Sequence, residues 1–349
     1  MEFPFRAGLT DSIRNDLPES LEPGRVVMDG RSPLRVLTEG GEIAAVSAGR
    51  LRTSGERPVV GDWVGIAHST CGGPATIHAI APRRTVLLRR AAGEAHAQQA
   101  LAANVDLVLV VEGLDRAFNP RRVERFVAAA WESGATPALV LNKADLAGDP
   151  EAIVREATRA APGVEVVAVS AMDGSGADAL TALLASGRTG VLVGPSGAGK
   201  STLVNRLLGG EVQRIGAVRR EDRRGRHTTT SRRLFPLPGG GALIDGPGVR
   251  EFGLGDVEKG IERVFADVEA LARGCRFRDC MHKAEPGCAV LAAANSGRIE
   301  ASRLASYHKL QREAAHARAE ANVQLAQEER RRWRTIHRAQ NALYRRRGR

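Results

Sequence analysis

Only four of the 349 residues are cysteine, and three of them, Cys275, Cys280 and Cys288, crowd into one short segment beside His282. Four are too few for a disulfide scaffold in a chain of this size, so the cluster favours a metal over disulfide bonds. Cys71 stands apart in a Gly-rich turn as a free thiol. Long apolar runs are also missing. No stretch approaches the roughly 18 apolar residues of a membrane span, and Met1 to Asp16 mix charges and proline with short apolar pieces only. The expectation is a soluble, cytoplasmic protein with no membrane partner. No internal repeat recurs. With 43% hydrophobic and 26% charged residues, the chain has ample material for a core and for two or three domains.

Acidic residues are in deficit: 40 Asp and Glu stand against 51 Lys and Arg, a net charge of +11. The excess is uneven. Residues 321–349 hold nine Arg against two Glu, and residues 219–233 hold seven Arg against two acidic residues. Such blocks suit a polyanion, most simply nucleic acid, through phosphate neutralisation and counterion release. A solvated tail that merely keeps the protein soluble is the plainer alternative. Trp333 and Tyr344 among the arginines favour nucleic acid, because stacking side chains mixed with cations suit unstacked bases.

Between Gly24 and about Arg90 lie five short β segments, Gly24–Asp29, Leu34–Thr38, Glu42–Ser47, Asp62–Ala67 and Ala75–Ile80, separated by turns such as Gly40-Gly41 and Gly72-Gly73. They suit a small β-barrel of the oligonucleotide-binding (OB) type, with an SH3-like barrel or a purely structural cap as alternatives. An Ala/Gln-rich amphipathic piece around Arg89–Asn104 forms the linker. An α/β alternation comes next, with strands over Val105–Val111, Pro137–Leu141, Val164–Val169 and Gly190–Val193 and helices over Pro120–Glu132, Glu151–Ala160 and Lys200–Leu208. Apolar runs buried on both faces argue for a mainly parallel sheet flanked by helices, with ligands at the strand C-terminal ends. After Phe252 the chain turns helical around the Cys/His cluster, and a long polar helix runs from Arg298 to the end. The expected division is an N-terminal extension (1–23), a barrel (24–90), an α/β domain (91–255) and a helical metal-binding domain with a basic tail (256–349).

Gly194-Pro195-Ser196-Gly197-Ala198-Gly199-Lys200-Ser201-Thr202 follows a strand and opens a helix, the context of a phosphate loop. Glycines let backbone N–H groups face a β-phosphate, the helix N-terminus adds its dipole, Lys200 reaches the β/γ oxygens, and the Ser201 hydroxyl ligates Mg²⁺. The loop alone does not choose between ATP and GTP. Asn142-Lys143-Ala144-Asp145, at another strand end, chooses guanine: the Asp145 carboxylate accepts from N1–H and the exocyclic amine, a donor pair that adenine lacks. Asn142 bonds O6 and N7, the Lys143 stem packs along the ring, and Ser170-Ala171 fits the loop whose backbone N–H helps to read O6. No Leu-Ser-Gly-Gly run of an ATP cassette follows.

Asp245-Gly246-Pro247-Gly248 follows the apolar run Ala242-Leu243-Ile244; Asp245 would hold a water on Mg²⁺, and the Gly248 N–H would sense a γ-phosphate. Arg224-Gly225-Arg226-His227-Thr228-Thr229-Thr230 takes the place of a first switch, in which one threonine closes over Mg²⁺. Val249 stands where a Ras-type GTPase has a water-orienting Gln, and an apolar side chain cannot orient water. His227 is the candidate for that catalytic task, against a role in RNA contact or switch packing, while Arg226 reads as an RNA contact sooner than a transition-state group. Weak hydrolysis stimulated by a partner is the consequence. Cys275, Cys280, His282 and Cys288 supply three thiolates and one imidazole, a full tetrahedral set for structural zinc.

The order of these motifs is inverted. The base-reading NKxD precedes the phosphate loop by about fifty residues, the reverse of an ordinary guanine-nucleotide switch domain, so the domain is circularly permuted. Together with RGRHTTT, DxPG and the Cys/His spacing, this order resembles the small-ribosomal-subunit-dependent GTPases of the RsgA (YjeQ) family. The likeness covers most of the chain and includes Pro58-Val59-Val60-Gly61-Asp62-Trp63-Val64, Ala102-Ala103-Asn104-Val105-Asp106, Gly248-Val249-Arg250-Glu251-Phe252 and Glu285-Pro286-Gly287-Cys288. It implies an N-terminal OB barrel, a permuted P-loop GTPase domain and a C-terminal zinc domain. It further implies a GTPase of late small (30S) subunit maturation that binds 16S rRNA and hydrolyses GTP to GDP when stimulated by the subunit, a monomer with one zinc per chain. The alternative is a nucleotide-gated rRNA-binding module in which hydrolysis is incidental. One departure is Gly246, where the family usually has Thr, which loosens the switch backbone.

Overall fold

The computed structural model describes residues 9–29, 33–69, 72–90, 98–185, 187–210, 232–246, 258–316 and 318–319. Strands β1 (Glu22–Met28), β2 (Leu34–Thr38), β3 (Gly41–Ser47), β4 (Trp63–Ala67) and β5 (Ala75–Ile80) close on themselves in the order β1-β2-β3-β5-β4-β1. Of these pairings only β3–β5 is parallel. This is a five-stranded barrel of the OB type. Every second side chain faces inward, so Val26, Val36, Ala45, Val64, Ile66, Ala75 and Ile77 fill the interior. A short helix, α1 (Asp11–Asn15), is capped by the Thr10 hydroxyl, which accepts from the Ile13 N–H. It seats Ile13 against Trp63 and Ala81 beside the barrel, and a second short helix, α2 (Gly49–Ser54), follows β3.

The linker differs from the sequence expectation in kind. Strands β6 (Val86–Arg90) and β7 (Gln98–Ala103) pair antiparallel as a two-stranded ribbon that straddles the boundary expected at residue 90. Leu87, Leu101 and Ala102 of this ribbon belong to the main core. Ala and Gln have weak strand propensity, and burial against neighbours overrides it here.

The central sheet runs β10-β9-β8-β11-β13-β12, formed by β8 (Leu107–Gly113), β9 (Thr136–Asn142), β10 (Glu165–Val169), β11 (Thr189–Val193), β12 (Arg233–Pro236) and β13 (Ala242–Asp245). Its first five strands are parallel, and β12 is antiparallel to β13. All seven residues of β8 are buried, as befits a strand covered on both faces. Helices α3 (Pro120–Glu132) and α4 (Pro150–Ala160) start where the Asn119 and Asp149 side chains accept from the N–H groups of Arg122 and Ala152, with proline at the first position of each. Helices α5 (Ala177–Leu184) and α6 (Lys200–Leu208) complete the layers. Strand β12 also pairs with barrel strand β1, Met28 opposite Arg233, so the barrel and the α/β domain share one eleven-stranded sheet.

Helices α7 (Glu258–Val264), α8 (Ala266–Ala272), α9 (Ala289–Asn295) and α10, over 301–316, form the C-terminal region. Arg303 ties it to the α/β domain. Its guanidinium donates to Glu124 Oε1 (2.8 Å), the Ala160 carbonyl (3.0 Å), the Val264 carbonyl (2.6 Å) and both Asp267 oxygens, while lying over the Phe265 ring at 4.4 Å. Among the described residues no helix is long and apolar enough to cross a membrane. Trp333, Tyr344 and Cys71 lie outside the described residues.

Candidate nucleotide site and metal centre

The C-terminal ends of four of the five parallel strands deliver the expected nucleotide motifs: β9 ends at Asn142, β10 leads to Ser170, β11 to Gly194, and β13 ends at Asp245. In the phosphate loop, Gly194 (φ +132°) passes so close to β8 that a Cβ there would stand 2.2 Å from the Val111 carbonyl oxygen. Gly199 (φ +87°) leaves the equivalent space to the Asn142 amide. Any side chain at either position would displace the loop. Lys200 is only 5% exposed, and its ammonium donates to the Gly194 and Pro195 carbonyls at 2.6 Å each, across the mouth of the loop. Asp245 is buried at the end of β13, and Ser201 and Thr202 occupy the first turn of α6.

Asn142 joins two of these loops. Its amide donates to the Ala198 carbonyl at 2.8 Å, and its carbonyl oxygen accepts from the Ala171 N–H at 3.1 Å. A buried amide satisfied on both sides holds one orientation. Lys143 adopts a left-handed backbone (φ +65°), which turns the chain out of β9 and into the short turn Ala144–Leu146 that carries Asp145. The Lys143 ammonium pairs with Asp115 at 2.7 Å, and this hydrogen bond holds the Asp115 carboxyl below the usual carboxylate range. Arg206, in the last turn of α6, donates to the Ala171 and Met172 carbonyls.

Neither Asp115 nor Arg206 carries a motif signal. The one clue to Asp115 is its place just after the C-terminal end of a central parallel strand, where ligands of such sheets bind. His227, Gly248, Arg226, Val249 and Thr228 to Thr230 lie outside the described residues. Immediately after the first of these segments, Arg232 is held by Asp29 of the barrel.

The four metal-binding candidates converge. One ligand atom from each of Cys275, Cys280, His282 and Cys288 lies within 4.8 Å of all the others. Cys275 Sγ is 3.9 Å from Cys288 Sγ, and His282 Nδ1 is 3.6 and 3.4 Å from those sulfurs. Tetrahedral zinc–thiolate bonds of about 2.3 Å require sulfur–sulfur edges of about 3.8 Å, so the donor set and its spacing fit the ion. Four protein ligands would leave a bound ion no open position, the arrangement of a structural centre. His282 takes a positive φ of 56° to turn its ring inward. Glu285 braces the same turn by accepting from the N–H groups of Met281, Lys283 and Ala284, and these bonds, that from Lys283 foremost, hold its carboxyl down at about 2.

The comparisons with known proteins agree with this geometry. The RsgA GTPase family model matches residues 80–255. The chain is 47% identical over 347 residues to a protein of Opitutus terrae named small ribosomal subunit biogenesis GTPase RsgA, covering 95% of this chain and 94% of that one. It is 47% identical over 319 residues to a protein of the same name from Streptomyces avermitilis, covering 90% and 85%. The crystal structure of YjeQ from Thermotoga maritima superposes with a TM-score of 0.64 at 26% identity, covering 84% of this chain and 98% of that one. The family model spans half of the chain and the curated relatives nearly all of it, and the chain belongs to the RsgA GTPase family.

Proposed function

We propose that this protein binds GTP across the strand ends of its permuted domain and hydrolyses it to GDP during late maturation of the small ribosomal subunit. In this reading it acts in the cytoplasm as a monomer that grips 16S rRNA, with no membrane partner. The GTP-bound form docks on the immature subunit, contact with rRNA arranges the switch, and hydrolysis releases the protein. Asn142, Lys143, Asp145, Ser170 and Ala171 receive guanine. Residues Gly194 to Thr202 receive the phosphates, with Lys200 stabilising the charge that develops on them. Ser201 would ligate Mg²⁺ and Asp245 would hold a water on it, and the ion would supply further neutralisation of the phosphate oxygens. Gly248 senses the γ-phosphate and His227 positions the attacking water. Cys275, Cys280, His282 and Cys288 hold Zn²⁺, which supplies a cross-link for a loop too small to build its own core.

The observation that carries the reading most directly is Asn142, whose single amide ties the phosphate loop at Ala198 to the base loop at Ala171. A structural loop without a ligand to organise has no need of that double bond. The test is GTP turnover by the purified protein alone, with small ribosomal subunits and with large ones. Strong stimulation by small subunits, and none by large ones, is expected; equal turnover in all three samples overturns the proposal.

A further inference from the structure

Arg206 sits in the last turn of the helix that begins with Lys200 and Ser201, yet its guanidinium serves another segment. Its Nε donates to the Ala171 carbonyl at 3.2 Å, and its Nη2 donates to the Met172 carbonyl. Gly174 leaves room for it, since a Cβ there would meet the guanidinium nitrogen at 3.3 Å, and the residue's φ of +94° suits glycine.

The amides of the loop are otherwise accounted for. The Ser170 N–H donates to the Ser175 carbonyl and the Gly174 N–H to the Ser170 carbonyl, each at 2.9 Å. The Asp173 N–H donates to Ser170 Oγ at 3.3 Å and the Ser175 N–H to Asp173 Oδ1 at 2.7 Å. The Ala171 N–H is taken by Asn142. Between Ser170 and Ser175, the Met172 N–H finds no acceptor among the described residues. It belongs to the same peptide unit as the Ala171 carbonyl that Arg206 engages. A charged donor on the oxygen of a peptide polarises the unit and strengthens its N–H as a donor. A cation that only complemented the helix dipole would need no carbonyl of a distant loop.

We propose that Arg206 is a positioning residue for base recognition. From the phosphate-binding helix it holds and polarises the Ala171–Met172 peptide, so that the Met172 N–H donates to the O6 oxygen of the purine. The inference rests on the guanine reading of this site. It also makes one helix responsible for both ends of the nucleotide, since Lys200 opens that helix and Arg206 closes it.

The experiment measures binding of GDP, ADP and 6-thio-GDP to the full-length protein and to Arg206→Ala and Arg206→Lys. The thio analogue keeps both donors that face Asp145 but replaces O6 with sulfur, a weak acceptor. The wild type is expected to favour GDP over 6-thio-GDP. Arg206→Ala should lose about tenfold in GDP affinity, the scale of one charge-assisted hydrogen bond, while 6-thio-GDP affinity changes less than twofold. Arg206→Lys should restore part of the preference. An equal loss for both nucleotides, or an unchanged preference, overturns the role of Arg206. A wild type that binds ADP as well as GDP instead overturns the guanine reading on which it stands.

Discussion

Asp29, just after barrel strand β1, accepts from both the backbone N–H and the guanidinium of Arg232, at 3.0 and 3.1 Å, and donates its own N–H to the Arg232 carbonyl. Arg232 is the first described residue after the expected first switch. The pair is largely buried, with the Arg232 and Asp29 side chains 11% and 6% exposed. Removing one partner of a buried pair leaves the other uncompensated, a loss of about 3 kcal/mol or more. Asp29→Ala should lower unfolding stability by that order, measured by urea denaturation. Asp29→Asn, which still accepts from the backbone N–H, should lose less.

Asp145→Asn would remove the acceptor proposed for guanine N1–H. GTP affinity should fall by about ten- to a hundredfold, the scale of hydrogen bonds to a charged group, and xanthosine triphosphate should become the preferred nucleotide. Competition binding with the two triphosphates checks this, and unchanged GTP selectivity would refute the base-site assignment.

Asp115 pairs with Lys143 beside the base loop, and both side chains are partly solvated, so Asp115→Asn should change global stability by less than about 1 kcal/mol. The change should appear in nucleotide affinity instead. The folded carboxyl lies below its unfolded value because of the Lys143 hydrogen bond. Its contribution is therefore complete above the ordinary carboxylate range and is lost as pH falls through the lowered value. A titration of GDP affinity across neutral pH should show no step that Asp115→Asn removes.

Elemental analysis should find one zinc per chain. Cys288 both supplies a ligand atom and caps α9, accepting from the Leu291 N–H at 3.4 Å, within the core that includes Phe265 and Tyr307. Cys288→Ser or chelation should release the metal and melt the C-terminal helices by circular dichroism, while GDP affinity persists. A metal-free protein with intact helices would contradict the structural role.

His227→Ala should leave GTP affinity within about twofold and cut subunit-stimulated turnover by about a hundredfold or more, the usual span for a group that assists proton transfer. The protein should then remain on immature particles and assembly should stall. Normal assembly and release without turnover would favour a nucleotide-gated RNA-binding module over a checkpoint driven by hydrolysis.

Much of the fold was legible because its signals are local. Proline after Asn119 and Asp149 marks two helix starts, glycines mark the phosphate loop, and apolar runs mark the strands. The Cys/His spacing likewise named a ligand set before any fold was known. The ribbon at Val86–Ala103 was not legible as a strand pair, since the Ala/Gln composition of its second strand carries little strand propensity and its pairing depends on burial against the core.

The amino-acid order alone determined the permuted arrangement and pointed to the base motif, the phosphate motif and the four-ligand donor set, because each is written within a few residues whose chemistry admits few uses. Tertiary structure decided what surrounds them. Asp115 meets Lys143 across 28 residues, Arg206 meets Ala171 across 35, and Asp29 meets Arg232 across 203. Contacts of that separation leave no periodic trace in a sequence; they exist because parallel strands gather distant loops at one edge, and because β12 carries the pairing of the α/β sheet into the barrel.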